Sequence, residues 1–265
     1  MPYKILKPPI LLVVFLWLKS TYLGQVKKSL ASILTVLISL SCEKDIVYEF
    51  EHTSFSTTNF ELCDYDSCPN ISLDYIAFKT PETLTTIVNK DIENYLNDRL
   101  LFKNQTAASI KEAVAVYLSN AQNSYPETSE FSEAHTFDMD MTVAYTSNDI
   151  VSLQATYYEF AGGAHGTNGV HFWNYNPKTG QKLKNENLFK DEKAFNAFAK
   201  ARFIQTHGPL HLFKFKDGRY ELPQNIGFNQ DGIRLFYNRY EIAAYAEGTL
   251  ELNFSWQEVE DYLNL

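Results

Sequence analysis

The chain has 265 residues, of which 45% are hydrophobic and 15% aromatic, so it can form a large core and is not globally disordered. Its formal net charge is −9, but the first 41 residues hold five lysines and no acidic residue. The remainder carries 18 basic and 32 acidic side chains, a net charge of −14. This charge argues against a nucleic acid partner, which needs a basic surface, and would attract a basic partner.

Residues 1–42 are predicted to be an export signal. Two apolar segments, Pro8–Leu18 and Ser29–Ser41, each follow lysines, and neither reaches the roughly 20 residues that cross a bilayer comfortably. The sequence from Ser39 to Cys42, SLSC, resembles a bacterial lipobox. The resemblance implies cleavage before Cys42 and lipid attachment to its sulfur, hence a lipoprotein of the periplasmic side or the outer membrane. An ordinary cleaved signal or a retained membrane anchor are the alternatives.

The other two cysteines, Cys63 and Cys68, bracket a short acidic loop. In an exported protein this pair is expected to form a disulfide that closes the loop. Two free thiols are the alternative for a cytosolic chain. A zinc site is less favoured, because two thiolates without nearby histidines supply only half of the usual ligands.

The segment after the signal is predicted to contain two strands and two helices. Alternating hydrophobic residues indicate strands at Asp45–Thr57 and Ile71–Lys79. Thr80 is expected to cap a helix with Pro81 in its first position, and a second helix is expected over Ala107–Ala121.

The following segment is predicted to be a hairpin, then a helix and short strands. The hairpin has one face towards the helices and the other partly in water. The elements are strands at Phe137–Ser147 and Ile150–Phe160, a helix at Lys190–His207, two or three short strands within Asn225–Trp256, and a terminal helix at Gln257–Leu265. The predicted fold class is α+β, with antiparallel sheets, helices packed on one side and two sequential subdomains.

A glycine-rich corner after the second hairpin strand is the candidate binding site. Four glycines lie within eight positions, at 162, 163, 166 and 169, and allow the backbone unusual conformations or close approach to a neighbour. A polar run, HFWNYNPKTG, leaves the corner and ends in a turn. The candidate binding residues are Tyr158, Gly162, Gly163, His165 and Gly166.

No residue pattern identifies a reaction. Glu159, His165 and His171 form an E-x5-H-x5-H set that could bind zinc, but its spacing does not match known catalytic zinc motifs. The competing interpretation is that His165 hydrogen-bonds backbone in a tight turn and that His171 lies on a strand. No serine or cysteine lies in a nucleophile elbow, and no cofactor is predicted.

Three stretches together resemble a known family. YYEFAGGAHGTNG, WNYNPKTGQKL and IGFNQDGIRLFYNRYEIAAYAEGTLELNFSW are similar to motifs of the RsiV-like domain of unknown function, found in the extracytoplasmic part of the anti-sigma-V factor and beside some peptidoglycan deacetylase domains. ISLDYIAFKTPETLTTIVNKDIENYL resembles the region that usually precedes that domain. The signal region is predicted at 1–42, and the resemblance implies a companion region at 43–148 and the RsiV-like domain at 149–265.

The resemblance implies a binding module rather than a catalyst. The anti-sigma-V factor senses c-type lysozyme by binding it directly, so lysozyme is the named candidate partner, alongside other cell-wall ligands. The motif glycines and tyrosines are expected to be fold determinants, the tyrosines in the core. The alternatives are a metal-dependent cell-wall or carbohydrate-active hydrolase that uses the glycine-corner histidines, and a structural envelope module.

Overall fold

The computed structural model describes residues 45–60, 69–102, 104–124, 135–162 and 164–265. These residues lie within one compact unit, Lys44–Leu265. The strands are β1 (Glu49–Ser56), β2 (Asn70–Thr80), β3 (Thr136–Thr146), β4 (Val151–Phe160), β5 (Thr167–Tyr175), β6 (Asn225–Phe228), β7 (Gly232–Tyr237) and β8 (Leu250–Ser255). The α-helices are α1 (Glu82–Leu100), α2 (Ile110–Ser124), α3 (Asn185–Leu188), α4 (Glu192–His207) and α5 (Trp256–Val259).

The first sheet has five strands in the order β1-β2-β3-β4-β5. Only the β2–β3 pair is parallel, and α1 and α2 form the crossover that a parallel pair requires. Both helices contribute to the core on one face of this sheet. Helix α2 buries Ala113, Val114 and Leu118, and α1 buries a stripe of residues at three- and four-residue spacing. The stripe consists of Leu84, Val88, Ile92, Leu96 and Leu100, and it meets mainly aliphatic residues of β2, β3 and β4.

The second sheet has three antiparallel strands in the order β6-β7-β8 and packs against α4. Eight of the 20 buried residues in its core are aromatic. Phe203 on α4 lies within ring-contact distance of Phe213, Phe215, Tyr220 and Tyr237. Edge-to-face arrangements of such rings add to the free energy gained from their burial.

The two sheets meet at β4, β5 and β6. The hydroxyl of the fully buried Ser152 accepts a hydrogen bond of 3.1 Å from the Phe228 amide. Gly227 lies so close to Phe172 that a Cβ atom there would come within 2.2 Å of the ring. The sheet face opposite the helices is therefore covered at β4 and β5, whereas on β3 it stays open to water at Asp140.

The outer edge of β5 is closed by side-chain amides at Val170 and Phe172 and, at its far end, by a single β-bridge between Tyr175 and Lys182. Asn238 Oδ1 accepts a hydrogen bond from the Val170 amide at 2.9 Å, and Asn238 Nδ2 donates to the Val170 carbonyl at 2.9 Å. Asn225 Oδ1 accepts a longer hydrogen bond, 3.4 Å, from the Phe172 amide. These contacts satisfy backbone groups that an edge strand would otherwise expose.

The α+β fold class predicted from the sequence is confirmed, and three details need correction. The terminal helix predicted at Gln257–Leu265 is only the four-residue α5, Trp256–Val259. The N-cap of α1 is Pro81 rather than Thr80, whose hydroxyl instead donates to the Val47 carbonyl at 3.1 Å. The polar run after the glycine corner is a full strand, β5, because its alternate residues pack into the cores on both sheet faces. The predicted boundary between residues 148 and 149 falls in the turn between β3 and β4.

Within the described ranges, no helix is both long enough and apolar enough to cross a membrane. Cys42, Cys63, Cys68 and Gly163 lie outside those ranges. The predicted lipidation site and disulfide therefore stay predictions.

Candidate functional site

The glycine corner joins β4 to β5, and its conformation depends on the absence of side chains. Gly162 has a φ of 89°, a value that side chains other than hydrogen disfavour. Gly166 is buried beneath the ring of Tyr158, and a Cβ atom on it would lie 2.4 Å from the Tyr158 hydroxyl. The corner therefore lets the Tyr158 ring lie directly over the backbone with 41% of the residue exposed.

His165 projects from the corner onto the loop that follows β7. Its ring stacks on Tyr245 with 3.9 Å between centroids and 20° between planes. The Tyr245 hydroxyl donates a 3.2 Å hydrogen bond to the Gly166 carbonyl. Tyr240 completes the group, because its hydroxyl lies 3.4 Å from His165 Nε2. The loop and the corner thus hold each other through ring stacking and hydrogen bonds.

Tyr240 is held with its ring exposed. The residue is 57% exposed, and its φ of 67° lies in the left-handed region that non-glycine residues rarely occupy. Asn238, bonded to the edge of β5, anchors the chain immediately before it, and the Arg239 guanidinium lies 4.4 Å from the centre of the Tyr245 ring. We call Tyr158, His165, Arg239, Tyr240 and Tyr245 the aromatic corner.

An acidic groove of about 360 Å³ begins beside Tyr158 on the open part of the first sheet. Its carboxylates are Asp74, Asp138 and Asp140. Burial raises the pKa of Asp138, whereas a hydrogen bond from His52 holds the pKa of Asp74 below its usual value. The groove places negative charge next to the aromatic corner.

His171 lies in a different environment, on the helix side of β5. Its ring stacks on Tyr95, with 4.8 Å between centroids, and meets Trp173 edge-on at 4.2 Å. Burial, and then the nearby charges of Lys182 and Arg99, lower the pKa of His171 to about 4. This histidine is therefore neutral at physiological pH.

Glu159, His165 and His171 do not form one site. Glu159 pairs with Arg99, with 3.2 Å between its Oε2 and the Nη1 atom. His165 faces the loop after β7, and His171 is enclosed by Tyr95 and Trp173. Across the part of the chain that the structure describes, no three His, Cys, Asp or Glu side chains are grouped so that they could hold a metal ion.

The structure brings together three of the five predicted binding residues. These are Tyr158, His165 and Gly166, which are in the aromatic corner or directly beneath it, whereas Gly162 lies in the same connection between β4 and β5, and Gly163 is outside the described ranges. Sequence reasoning missed Arg239, Tyr240 and Tyr245, and the expectation that the motif tyrosines are core residues is wrong for Tyr240. A signal was present, since Tyr240 follows an Asn-Arg pair at the end of a strand pattern, where a turn exposes side chains.

Two family models match successive parts of the chain. Residues 66–168 match the model described as deacetylase PdaC, and residues 181–257 match DUF3298, a protein family of unknown function. No curated protein matches the chain.

Two crystal structures have a similar fold. A DUF3298 family protein from Pseudomonas aeruginosa PAO1, 18% identical, superposes with a TM-score of 0.60 over 83% of this chain and 94% of its own. A member of the same family from Bacteroides fragilis NCTC 9343, 17% identical, gives a TM-score of 0.62 over 84% of this chain and 96% of its own. The chain is thus similar to the PdaC model in its first part and to DUF3298 in its second, and it has the fold of solved DUF3298 proteins.

Proposed function

We propose that this chain is an extracytoplasmic, cell-wall-associated binding module, tethered by a lipid on Cys42, whose aromatic corner contacts the ligand. The observation that carries the proposal is the exposed ring of Tyr240, held at a φ of 67° beside His165 and Tyr245. Strained backbone that presents a side chain to solvent is typical of functional sites. Clustered tyrosines with an arginine are also the residues most often found at binding hot spots.

The matches to PdaC and DUF3298 support a role at the cell wall. The model for residues 66–168 carries the name of a deacetylase, and RsiV-like domains, which this sequence resembles, accompany peptidoglycan deacetylases. The lipobox-like SLSC sequence supports tethering to the envelope membrane.

The candidate ligand is a c-type lysozyme, a basic protein. The acidic groove beside Tyr158 adds carboxylates to one side of the aromatic corner, and the chain after residue 41 has a net charge of −14. Opposite charges on the two surfaces would speed association and orient the partners. The exposed tyrosines would then supply the apolar contact area at the centre of the interface.

Titration calorimetry of Lys44–Leu265 against c-type lysozyme, with a lysis assay alongside, tests this proposal. We expect saturable binding that inhibits lysis, and affinity about tenfold lower in Tyr240→Ala. The association rate, measured by stopped-flow mixing, should be lower in Asp140→Asn, most strongly at low salt. Leu212→Ala, which truncates a similarly exposed side chain outside the corner, is the control and should bind normally.

The same titration can contradict the proposal in two ways. Absence of heat and of inhibition would exclude lysozyme, and the Tyr240→Ala comparison would then be repeated with purified peptidoglycan. Equal losses in Tyr240→Ala and Leu212→Ala would exclude the aromatic corner as the contact surface. Metabolic labelling with a fatty acid analogue tests the tether separately, because Cys42→Ser should abolish labelling.

A further inference from the structure

A cleft of about 610 Å³ lies along the outer edge of β5, away from the aromatic corner. One side is formed by β5 itself, and the others come from the segment between residues 182 and 196 and from residues 221 to 226. This volume is within the range of small-molecule binding sites, which is about 300–1,000 Å³. The cleft is therefore large enough to hold a ligand rather than a single water molecule.

Buried apolar side chains and one buried amide contribute to the lining of the cleft. Phe172, Leu188 and Ile226 contribute buried side chains. Asn174 is only 5% exposed, and its Nδ2 donates a 2.6 Å hydrogen bond to the Ile226 carbonyl, which fixes the orientation of the amide. Its Oδ1 is covered and has no hydrogen-bond partner among the described residues.

An unpaired buried acceptor destabilises the structure unless a donor reaches it. In the cleft such a donor would be a ligand N–H or O–H group, or a water molecule held by the ligand. It would reach Asn174 Oδ1 after a small movement of the atoms that cover this oxygen. The amide of Asn174 thus gives the cleft a buried acceptor that a polar ligand can satisfy.

The walls of the cleft carry more negative than positive charge. Three carboxylates, those of Glu186, Glu192 and Glu221, have no ion-pair partner within the described part of the chain. Lys182 is paired with Asp91, with 2.9 Å between its Nζ and the carboxylate Oδ2, so its charge is already balanced. Lys184 is the other cation that lines the cleft. The excess of carboxylates favours a ligand with a positive charge.

From this geometry we propose that the cleft binds a small hydroxylated amine, the chemical class of sugars that carry a free amino group. The carboxylates would hold the ammonium group through charge-assisted hydrogen bonds. The amides of Asn196 and Gln224, which also line the cleft, can both donate to and accept from hydroxyl groups. The buried apolar side chains would cover the C–H face of a sugar ring. The site is separate from the aromatic corner and does not depend on its function.

Titration of Lys44–Leu265 with glucosamine, followed by protein NMR, tests the inference. We expect saturable shifts in the amides of residues that line the cleft, and affinity about tenfold lower for glucose and for N-acetylglucosamine, which both lack the ammonium group. Glu221→Gln and Glu192→Gln preserve shape while removing charge, and each should weaken glucosamine binding about tenfold. Glu260→Gln, an exposed carboxylate outside the cleft, is the matched control and should bind glucosamine normally.

Any of these outcomes would overturn the inference: no saturable shifts with glucosamine, shifts that map outside the cleft, or equal affinity for glucose and glucosamine. Equal effects of Glu221→Gln and Glu260→Gln would have the same consequence. The Tyr240→Ala variant should bind glucosamine like the wild type, so failure of the cleft and failure of the aromatic corner are distinguished by separate variants.

Discussion

His165 and His171 lie six residues apart, and both stack on tyrosine, yet their surroundings are opposite. His165 is exposed in a loop and rests on Tyr245, a residue that also contacts the corner backbone. His171 is on a strand between Tyr95 and Trp173, in a setting that lowers its pKa to about 4. The contrast shows that a histidine stacked on an aromatic ring does not by itself indicate a binding site. Exposure of the ring, and the backbone that holds it, distinguish a binding residue from a packing residue.

The pH dependence of stability should show the largest difference between the two regions. In the folded protein His171 resists protonation because it is buried, whereas in the unfolded chain it binds a proton near its ordinary pKa of 6.5. The contribution of His171 to stability is therefore fully present above pH 6.5 and is lost as the pH drops from 6.5 to about 4. The loss from this group alone is roughly 3 kcal/mol, about 1.4 kcal/mol for each unit of the shift.

Urea denaturation at several pH values measures this effect. In His171→Phe, which keeps an aromatic ring between Tyr95 and Trp173, the free energy of unfolding should depend less steeply on pH in this interval. The matched variant His165→Gln should retain the wild-type contribution from His171. Identical slopes in His171→Phe and the wild type would mean that His171 protonates freely in the folded state.

Gly227→Ala should cause the next largest effect. The added Cβ atom would lie 2.2 Å from the ring of the buried Phe172, so the ring or the backbone at the contact between the sheets would have to move. Overpacking of this kind costs about 1–3 kcal/mol in the free energy of unfolding. A thermal melt that matches the wild type would show that the contact between the sheets can adjust.

Tyr240→Gly and Tyr240→Ala should separate backbone strain from ligand contact. Both remove the exposed ring, so both should weaken ligand binding to the same extent. Glycine relieves the left-handed backbone conformation, whereas alanine retains its cost. We therefore expect Tyr240→Gly to be more stable than Tyr240→Ala by about 1 kcal/mol in denaturant unfolding, the reverse of the usual order.

Gly166→Ala should have the smallest effect on stability. The added Cβ atom would meet the far end of the Tyr158 ring, which is exposed and can turn away. We expect a change in the free energy of unfolding below about 1 kcal/mol, together with weaker ligand binding because the ring is displaced. A loss of stability as large as that of Gly227→Ala would mean that the aromatic corner is packed as rigidly as the contact between the sheets.

The strands and helices of this fold could be predicted well from local patterns. Alternating residues identified β3 and β4, and the stripe on α1 was visible at helical spacing. The strand β5 was only partly recognised, because both of its faces pack against other elements near Trp173 and so its polar and apolar residues do not alternate. A pattern method detects a sheet with one wet face better than one that is covered on both.

Only the glycine corner of the candidate site could be predicted from the sequence, and the loop that packs against it could not. The glycine corner was found because glycines at 162, 163, 166 and 169 are conspicuous in the sequence. Its contacts to Tyr240 and Tyr245 span 75 and 79 positions, and no local pattern reports such a distance. The sequence also did not show which tyrosines are buried and which are exposed. Tyr237 is buried and donates to the Glu221 carbonyl, whereas Tyr240, three positions later, is exposed.

The two hydrogen bonds between Asn238 and Val170 affect whether copies of this protein associate through their sheet edges at high local concentration. One side-chain amide occupies the donor and the acceptor that an incoming strand would use to extend the sheet. Neighbouring copies therefore find no free hydrogen-bonding groups at this position, and edge-to-edge joining through β5 is disfavoured. The same residue precedes Tyr240, so the contact that keeps copies apart also sets where the exposed ring stands.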